Sequence, residues 1–147
     1  MIIKRVGGKT KIAPWIKSHL PRYSVFVDVF GGSGAVIHSL PHKDKCRYVF
    51  NDLDNKLYTF FKVLQNKAQE LAHAINLTPY SRKYFDEACK VINGPGFEDL
   101  DVVDKALVFM IVNRQSFGAK MDTVWSVTRD GEINYDTWGK LPPYVME

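Results

Sequence analysis

The chain has 147 residues, 46% of them hydrophobic and 24% charged, a balance typical of one ordinary globular domain rather than a disordered segment. No apolar run approaches the roughly 20 residues needed to cross a bilayer, and the N-terminus has no signal-peptide core, so we expect a cytoplasmic protein without a membrane partner. Cys46 and Cys89 form no C-x-x-C pair and no histidine cluster accompanies them, which argues against zinc and redox chemistry.

The net charge of +4 is unevenly distributed along the chain. The first 22 residues contain no acidic residue. Their basic residues are Lys4, Arg5, Lys9, Lys11, Lys17 and Arg22. A block of like charge is either a solvated face or a contact surface for a polyanion such as nucleic acid.

The first third of the chain predicts a strand–turn–helix–strand unit. Thr10 is expected to cap a short helix that has Pro14 in its first turn. Residues 25–30 have the apolar character of a buried strand, and a glycine turn and a helix over about 34–40 should follow. Residues 47–50 form the second strand, which is predicted to be parallel to the first because a helical crossover joins them.

The middle of the chain is predicted to be helical. Apolar spacing indicates helices over residues 54–75, 80–92 and 100–112, the second ending at Asn93-Gly94-Pro95-Gly96. The remainder predicts short strands and loops with a hairpin turn at Asp130-Gly131.

This inventory contains too few strands for a complete α/β sheet. Such a sheet normally needs about five strands to bury both of its faces, and only two parallel strands are convincing. We therefore expect the chain to be the front part of something larger. Unpaired strand edges then favour self-association or a second chain that completes the sheet.

The first candidate site is the turn after the first strand. The strand ends in Asp28 and continues into Phe30-Gly31-Gly32-Ser33-Gly34, as in sheets that bind nucleotide-like ligands at strand ends. The G-x-G-x-x-G fingerprint of a dinucleotide site would need glycine at Ile37, and Asp28 would repel a pyrophosphate. A ligand with a cationic end and no phosphate, such as S-adenosylmethionine, fits better.

Two further segments complete the candidate site. Asp52, at the end of the second strand, is spaced to accept hydrogen bonds from a ribose diol. The alternative is that Asp52 only caps the helix that begins near Asp54. Near the N-terminus, Gly7 and Gly8 allow a close backbone approach, and Lys9 supplies a donor to a carboxylate or phosphate.

These three motifs together resemble the Dam-type adenine-specific DNA methyltransferases, in which a G-G-K, an F-x-G-x-G loop and a strand-end acidic residue line the cofactor site. The resemblance implies methyl transfer from S-adenosylmethionine to the exocyclic amino nitrogen of adenine in double-stranded DNA. The implied cofactor-binding residues are Arg5, Gly7, Gly8, Lys9, Asp28, Phe30, Gly32, Ser33, Gly34 and Asp52.

The resemblance also implies an architecture. The fold is expected to be α/β, with a Rossmann-like methyltransferase core whose sheet is incomplete and with a mainly helical insertion. Residues 1–55 would form the cofactor-binding part and residues 56–138 the DNA-recognition segment, followed by a truncated tail at 139–147.

Two residues depart from the family pattern. Arg5 stands where family members usually have an aromatic residue that packs near the cofactor, although an arginine plane can also stack. The family's D-P-P-Y motif has only Leu141-Pro142-Pro143-Tyr144 as a counterpart, and leucine cannot accept a hydrogen bond from the target amino group. We therefore assign no catalytic residue and expect the chain to be inactive alone. The alternative is a non-enzymatic DNA-binding or regulatory remnant, and a nicotinamide oxidoreductase ranks low.

Candidate DNA contacts follow the last long helix, where the side chains suit base edges and phosphates. They are Asn113, Arg114, Gln115, Lys120 and Arg129. The alternative for Asn113 and Arg114 is that they cap and neutralise the C-terminus of that helix. No spacing of histidines, cysteines or carboxylates predicts a metal site.

Overall fold

A computed structural model describes residues 3–41, 45–121 and 124–126, and it joins a small parallel sheet to a group of packed helices. Strands β1 (Val25–Asp28) and β2 (Arg47–Phe50) are parallel neighbours. Val25 lies opposite Arg47, and Asp28 lies opposite Phe50. The prediction of two parallel strands is confirmed, although β1 is shorter than the predicted 25–30.

The helices follow the predicted order with shifted boundaries. The α-helices are α1 (Ala13–Ser18), α2 (Asn55–Asn66), α3 (Ala68–Leu77), α4 (Arg82–Ile92) and α5 (Val102–Gln115). Short 3₁₀ turns lie at Lys9–Lys11, Ile37–Ser39, Pro95–Phe97 and Phe117–Ala119. Pro14 lies in the first turn of α1, as predicted. Among the described residues, no helix is long and apolar enough to cross a membrane.

Two helix predictions are wrong. Residues 34–40 form turns and the 3₁₀ segment rather than an α-helix, because Gly34 is left-handed and Pro41 leaves too few residues to propagate one. The single helix expected over 54–75 is two helices separated at Lys67, whose φ of −141° is not helical. Because the apolar spacing continues across Lys67, the sequence gives no sign of the break between the two helices.

The hydrophobic core lies among the helices rather than on the sheet. Helix α5 is central and packs against α2, α3 and α4, consistent with apolar residues on all its sides. The largest fully buried apolar side chains are Ile3, Leu57, Phe60, Leu71, Ile75, Phe109, Met110 and Val112. Ile3 joins this core from the N-terminus, so the first described residues are attached to the helical part.

The last described residues add one antiparallel bridge, between Ser116 and Trp125. The predicted Asp130-Gly131 turn and the Leu141-Pro142-Pro143-Tyr144 segment lie outside the described residues. The predicted division at residue 55 stays a prediction, although α2 begins there.

Candidate functional site

A cavity of about 170 Å³ lies at the carboxyl ends of the two strands, where the three predicted motifs meet. We call residues 3–8 the N-terminal arm and residues 30–34 the glycine loop. The cavity is lined by Arg5, Val6, Gly7, Gly8, Lys9, Phe30, Gly31, Gly32, Ser33, Ala35, Val36 and Asp52. The parallel pairing of β1 and β2 brings the glycine loop beside Asp52, and the N-terminal arm reaches the same cavity from the helical part of the chain.

The glycine loop is fixed to the sheet by backbone hydrogen bonds. The Gly31 N–H donates to the Asn51 carbonyl at 2.8 Å, which continues the strand pairing, and the Gly34 N–H donates to the Gly31 carbonyl at 2.8 Å. A Cβ at Gly31 would overlap the Phe50 ring, so glycine is required there. The loop passes close over the end of β2, which places its N–H groups beside Asp52.

Asp52 connects the loop to the start of α2. Its Oδ2 accepts the Gly32 N–H at 2.8 Å, and its Oδ1 accepts the Asp54 N–H at 3.0 Å. Burial alone would raise the pKa of Asp52, but these N–H groups and the positive charge of Arg5 together hold the pKa below its usual value. Asp52 is thus an ionised acceptor facing the cavity, as the ribose interpretation requires. Asp54, rather than Asp52, is the N-cap of α2.

The N-terminal arm closes the other side of the cavity. The Gly8 N–H donates to the Arg5 carbonyl at 2.9 Å, and the Lys9 ammonium donates to the Phe30 carbonyl at 3.0 Å. The arm is held from behind by Asn113, whose amide accepts from the Lys4 N–H at 2.9 Å and donates to the Lys4 carbonyl at 2.6 Å. Arm and loop therefore face each other across the cavity.

Two predicted cofactor residues do not line the cavity. Asp28 is buried on the inner face of β1, and its Oδ2 has no hydrogen-bond partner among the residues that the structure describes. Gly34 has a left-handed φ of 73° and shapes the loop from outside the cavity. The charged groups that do line the cavity are Arg5, Lys9 and Asp52.

Several lining residues were not among the predicted ones. Val6 and Gly31 lie inside the motifs, so the predicted residues on either side of them could have identified them as lining residues. Ala35 and Val36 are buried residues just after the loop and had been assigned to a helix. Asp54, which forms an ion pair with Arg5, had been named only as the residue near which a helix begins.

The predicted DNA contacts differ in how far they are exposed to solvent. Asn113 and Gln115 are 2% and 0% exposed, so this conformation does not support contact of either side chain with DNA. Asn113 instead binds the arm, and the Gln115 amide is buried without a hydrogen-bond partner. Arg114 is half-buried, and burial lowers its pKa. Lys120 is exposed, and Arg129 lies outside the described residues.

Among residues 3–41, 45–121 and 124–126, no cluster of histidine, cysteine and carboxylate side chains could hold a metal ion. The side chains of Cys46 and Cys89 are both half-buried and lie apart from the cavity.

Residues 6–123 match the family of D12 class N6 adenine-specific DNA methyltransferases. The chain belongs to this family. The match includes the glycine pair of the arm, the glycine loop and Asp52, so the segments that line the cavity are family segments.

Individual relatives are similar along nearly the whole chain. The DNA N-6-adenine-methyltransferase of Escherichia phage P1 is 27% identical over 97% of this chain and 18% of its own length. The type II methyltransferase M.MjaIII of Methanocaldococcus jannaschii is 24% identical over 90% of this chain and 50% of its own length. The DNA adenine methylase of Escherichia coli K12 is 23% identical over 99% of this chain and 50% of its own length. The chain thus spans half or less of the length of these relatives.

Proposed function

We propose that this chain binds S-adenosylmethionine in the cavity between the N-terminal arm and the glycine loop, as part of an adenine-specific DNA methyltransferase with a Rossmann-like core. The observation that carries the proposal is the convergence of three distant motifs on one cavity with an ionised carboxylate. Asp52 would accept hydrogen bonds from the ribose hydroxyls, while Gly7 and Gly8 would let the backbone approach the ligand.

The lining residues fit such a cofactor in their chemistry. The carboxylate oxygens of Asp52 are acceptors with lone pairs to spare, and the loop and arm lack side chains at Gly7, Gly8 and Gly32. The enclosed volume of about 170 Å³ is smaller than the roughly 300–1,000 Å³ of ordinary small-molecule sites. Part of the ligand would therefore lie over the rim, where Arg5 and Asp54 meet.

Bound S-adenosylmethionine supplies an electrophilic methyl group for direct transfer to a nucleophilic nitrogen. The residues of this chain would bind and orient that donor. The D-P-P-Y motif that would orient the adenine amino group has no match in the sequence, because Leu141 precedes the only Pro-Pro pair. We therefore propose that the chain alone binds the cofactor and does not transfer the methyl group.

Isothermal titration with S-adenosylmethionine tests the cofactor site, with NADH as the control ligand. We expect binding of the first ligand only. Asp52→Ala should weaken it about tenfold or more, because hydrogen bonds to a charged group are lost. Asp99→Ala, at an exposed carboxylate away from the cavity, is the matched control and should leave the affinity unchanged. Binding of NADH, or of neither ligand by folded protein, would reject this function.

A specific observation supports DNA as the second ligand. Partial burial lowers the pKa of the Lys4 ammonium, and the positive charge of the neighbouring Arg114 lowers this pKa further. Neither cation has an acidic partner among the described residues. A phosphate group bound between them would reduce their mutual repulsion.

Fluorescence anisotropy with a labelled duplex separates the enzyme fragment from a non-enzymatic remnant. Duplex binding that Lys4→Gln weakens, together with S-adenosylmethionine binding, supports the methyltransferase fragment. Duplex binding without any cofactor binding supports the remnant. Transfer of a radioactive methyl group to DNA by the purified chain would contradict the proposed inactivity.

A further inference from the structure

A second cavity lies on the inner face of the sheet, between β2 and helix α2. Its volume is about 560 Å³, against about 170 Å³ for the cavity at the glycine loop. Strand β2 contributes Tyr48 and Phe50, which point to the same face because side chains alternate along a strand. Helix α2 contributes Phe61 and Gln65, one turn apart, and the 3₁₀ turn Ile37–Ser39 forms a third side. We call this space the aromatic cavity.

Four aromatic rings form much of the wall of the aromatic cavity. They belong to His38, Tyr48, Phe50 and Phe61. Phe50 and Phe61 meet edge to face, with ring centroids 4.9 Å apart and planes at 67°, and the His38 ring lies 6.2 Å from that of Phe61. The Tyr48 hydroxyl donates to the Pro41 carbonyl at 2.7 Å. The rings are therefore held by one another and by the backbone.

The remaining wall determines which charge a ligand can carry. Ile37 and Leu40 are apolar, and none of the described residues that line the aromatic cavity has a carboxylate, an ammonium or a guanidinium group. A charged ligand would therefore lose its hydration without gaining a counter-charge. The side chains of His38 and Gln65 are exposed to solvent, so their ring nitrogens and amide can exchange hydrogen bonds with one polar edge of a ligand.

We propose that the aromatic cavity is a second ligand site, which binds a neutral aromatic heterocycle with one polar edge. Its volume lies within the roughly 300–1,000 Å³ of ordinary small-molecule sites. Stacked or edge-to-face contacts with the rings favour an aromatic ligand over an aliphatic one of similar size. The aromatic cavity shares no lining residue with the cavity at the glycine loop, so the inference goes beyond the proposed function and does not depend on it.

Two rings of the aromatic cavity also lie against the glycine loop. A Cβ at Gly31 would overlap the Phe50 ring, and a Cβ at Gly34 would lie 2.5 Å from the His38 ring. Both rings therefore touch the backbone of the loop. A ligand stacked on either ring would change the magnetic environment of these two glycines, which provides a readout that needs no cofactor.

The competing explanation is that the aromatic cavity is only an uncovered part of the sheet, because β2 pairs with β1 alone among the described residues. An uncovered surface would take up apolar molecules weakly, without saturation and without regard to their shape. A ligand site saturates and distinguishes an aromatic ring from an aliphatic one. The two explanations therefore differ in stoichiometry and in selectivity.

Indole is the probe, because it is neutral and aromatic and has a single N–H donor. In titrations of the isotope-labelled 147-residue chain followed by nuclear magnetic resonance, we expect saturable binding with a dissociation constant of about 1 mM or tighter. The amide signals of Gly31 and Gly34 should shift, whereas that of Gly96, which lies outside the aromatic cavity, should not. Cyclohexanol should bind about two- to tenfold more weakly, because it lacks the aromatic contacts.

The variant Gln65→Trp tests the location of the site. Residue 65 is exposed and lines the aromatic cavity, so the new side chain can fill the cavity and should abolish indole binding while leaving the unfolding midpoint close to that of the wild type. Gln69→Trp places the same side chain at an exposed position of α3 outside the aromatic cavity, and it should retain wild-type affinity for indole.

Three results would each overturn the second site. They are signal shifts that do not saturate with indole, equal affinities for indole and cyclohexanol, and unchanged indole binding by Gln65→Trp. Each of these results would leave the proposed cofactor site standing, since S-adenosylmethionine takes no part in the measurement.

Discussion

Asp52 is the residue at which the loop, the sheet and helix α2 are joined. Its two oxygens accept backbone N–H groups from Gly32 and Asp54, and Arg5 lies nearby. Burial alone would raise the pKa of Asp52, but the hydrogen bonds and the neighbouring positive charge outweigh it and leave the pKa lowered. The ionised form of Asp52 is therefore favoured by the folded state.

This shift predicts a defined dependence of stability on pH. Because the folded-state pKa lies below the unfolded value, ionised Asp52 adds to the free energy of unfolding at every pH above about 4. The contribution fades as the pH falls further, through the lowered pKa. Urea unfolding of the wild type and Asp52→Asn should show a constant difference from pH 7 to 5 that shrinks below pH 4. A difference that already shrinks between pH 7 and 5 would contradict this assignment.

Gly34 offers a second prediction, about backbone conformation in the glycine loop. Its φ of 73° is left-handed, and a Cβ there would lie 2.5 Å from the His38 ring. Gly7 has a similar φ of 76° with nothing within 4 Å of its Cβ position, so Gly7→Ala isolates the conformational cost, about 1–2 kcal/mol. Gly34→Ala should lower the free energy of unfolding by more than Gly7→Ala does. Equal losses in urea unfolding would show that His38 simply moves aside.

Individual residues of the candidate site could be predicted from the sequence where they belong to a recognisable motif. Gly7, Gly8 and Lys9 follow from the glycine motif near the N-terminus and Asp52 follows from the end of β2, and all four residues line the cavity. Asp28 is buried on the inner face of β1 because side chains alternate along a strand, and its predicted part in cofactor binding stays a prediction.

At the scale of elements, the position of the N-terminal arm depends on helix α5. The Asn113 side chain makes two hydrogen bonds to the backbone of Lys4, and Ile3 is buried in the helical core. The arm carries Gly7 and Gly8 to the cavity and leads to Lys9. Packing among the helices is thereby coupled to the shape of the cavity.

Removing this attachment should affect both folding and binding. Asn113→Ala leaves two backbone groups of Lys4 without partners, so we expect a loss of about 1–3 kcal/mol in the free energy of unfolding. S-adenosylmethionine affinity should fall as well, because the arm is released. Asn66→Ala, which removes a local bond from an exposed asparagine to the Lys62 carbonyl, is the matched control and should change neither strongly. Reduced stability with unchanged affinity would show that the arm keeps its place without Asn113.

Most strands and helices could be predicted from the sequence, but the contacts between them could not. Apolar spacing predicted β1, β2 and the helical middle, because burial on one face leaves a periodic pattern. The break at Lys67 has no glycine or proline to mark it. Asn113 was interpreted as a DNA contact because its hydrogen-bond partner, Lys4, is 109 residues away in the sequence.

At the scale of the whole molecule, the helical part and the two-stranded sheet differ in how much of their apolar surface is buried. The helices bury a continuous apolar core, whereas the sheet has one open face. Val25, Val27 and Val49 lie on that face at 50%, 49% and 39% exposure, next to the exposed Arg47, which is the partner of Val25 in the sheet. Parallel sheets are normally covered on both faces, and within the described residues each strand pairs on one side only. An apolar face of this kind favours association with another protein surface.

We therefore expect the purified chain to self-associate through the valine face, with an average mass that rises with concentration in light scattering. Val27→Lys places a charge at the centre of that face and should shift the population toward the monomer, because burying an unpaired ammonium is unfavourable. Leu77→Lys, at a 71% exposed leucine at the end of α3, is the matched control and should leave the association unchanged. A wild-type chain that stays monomeric at all concentrations would contradict the prediction. If both variants reduced association equally, the general rise in positive charge would explain it rather than the valine face.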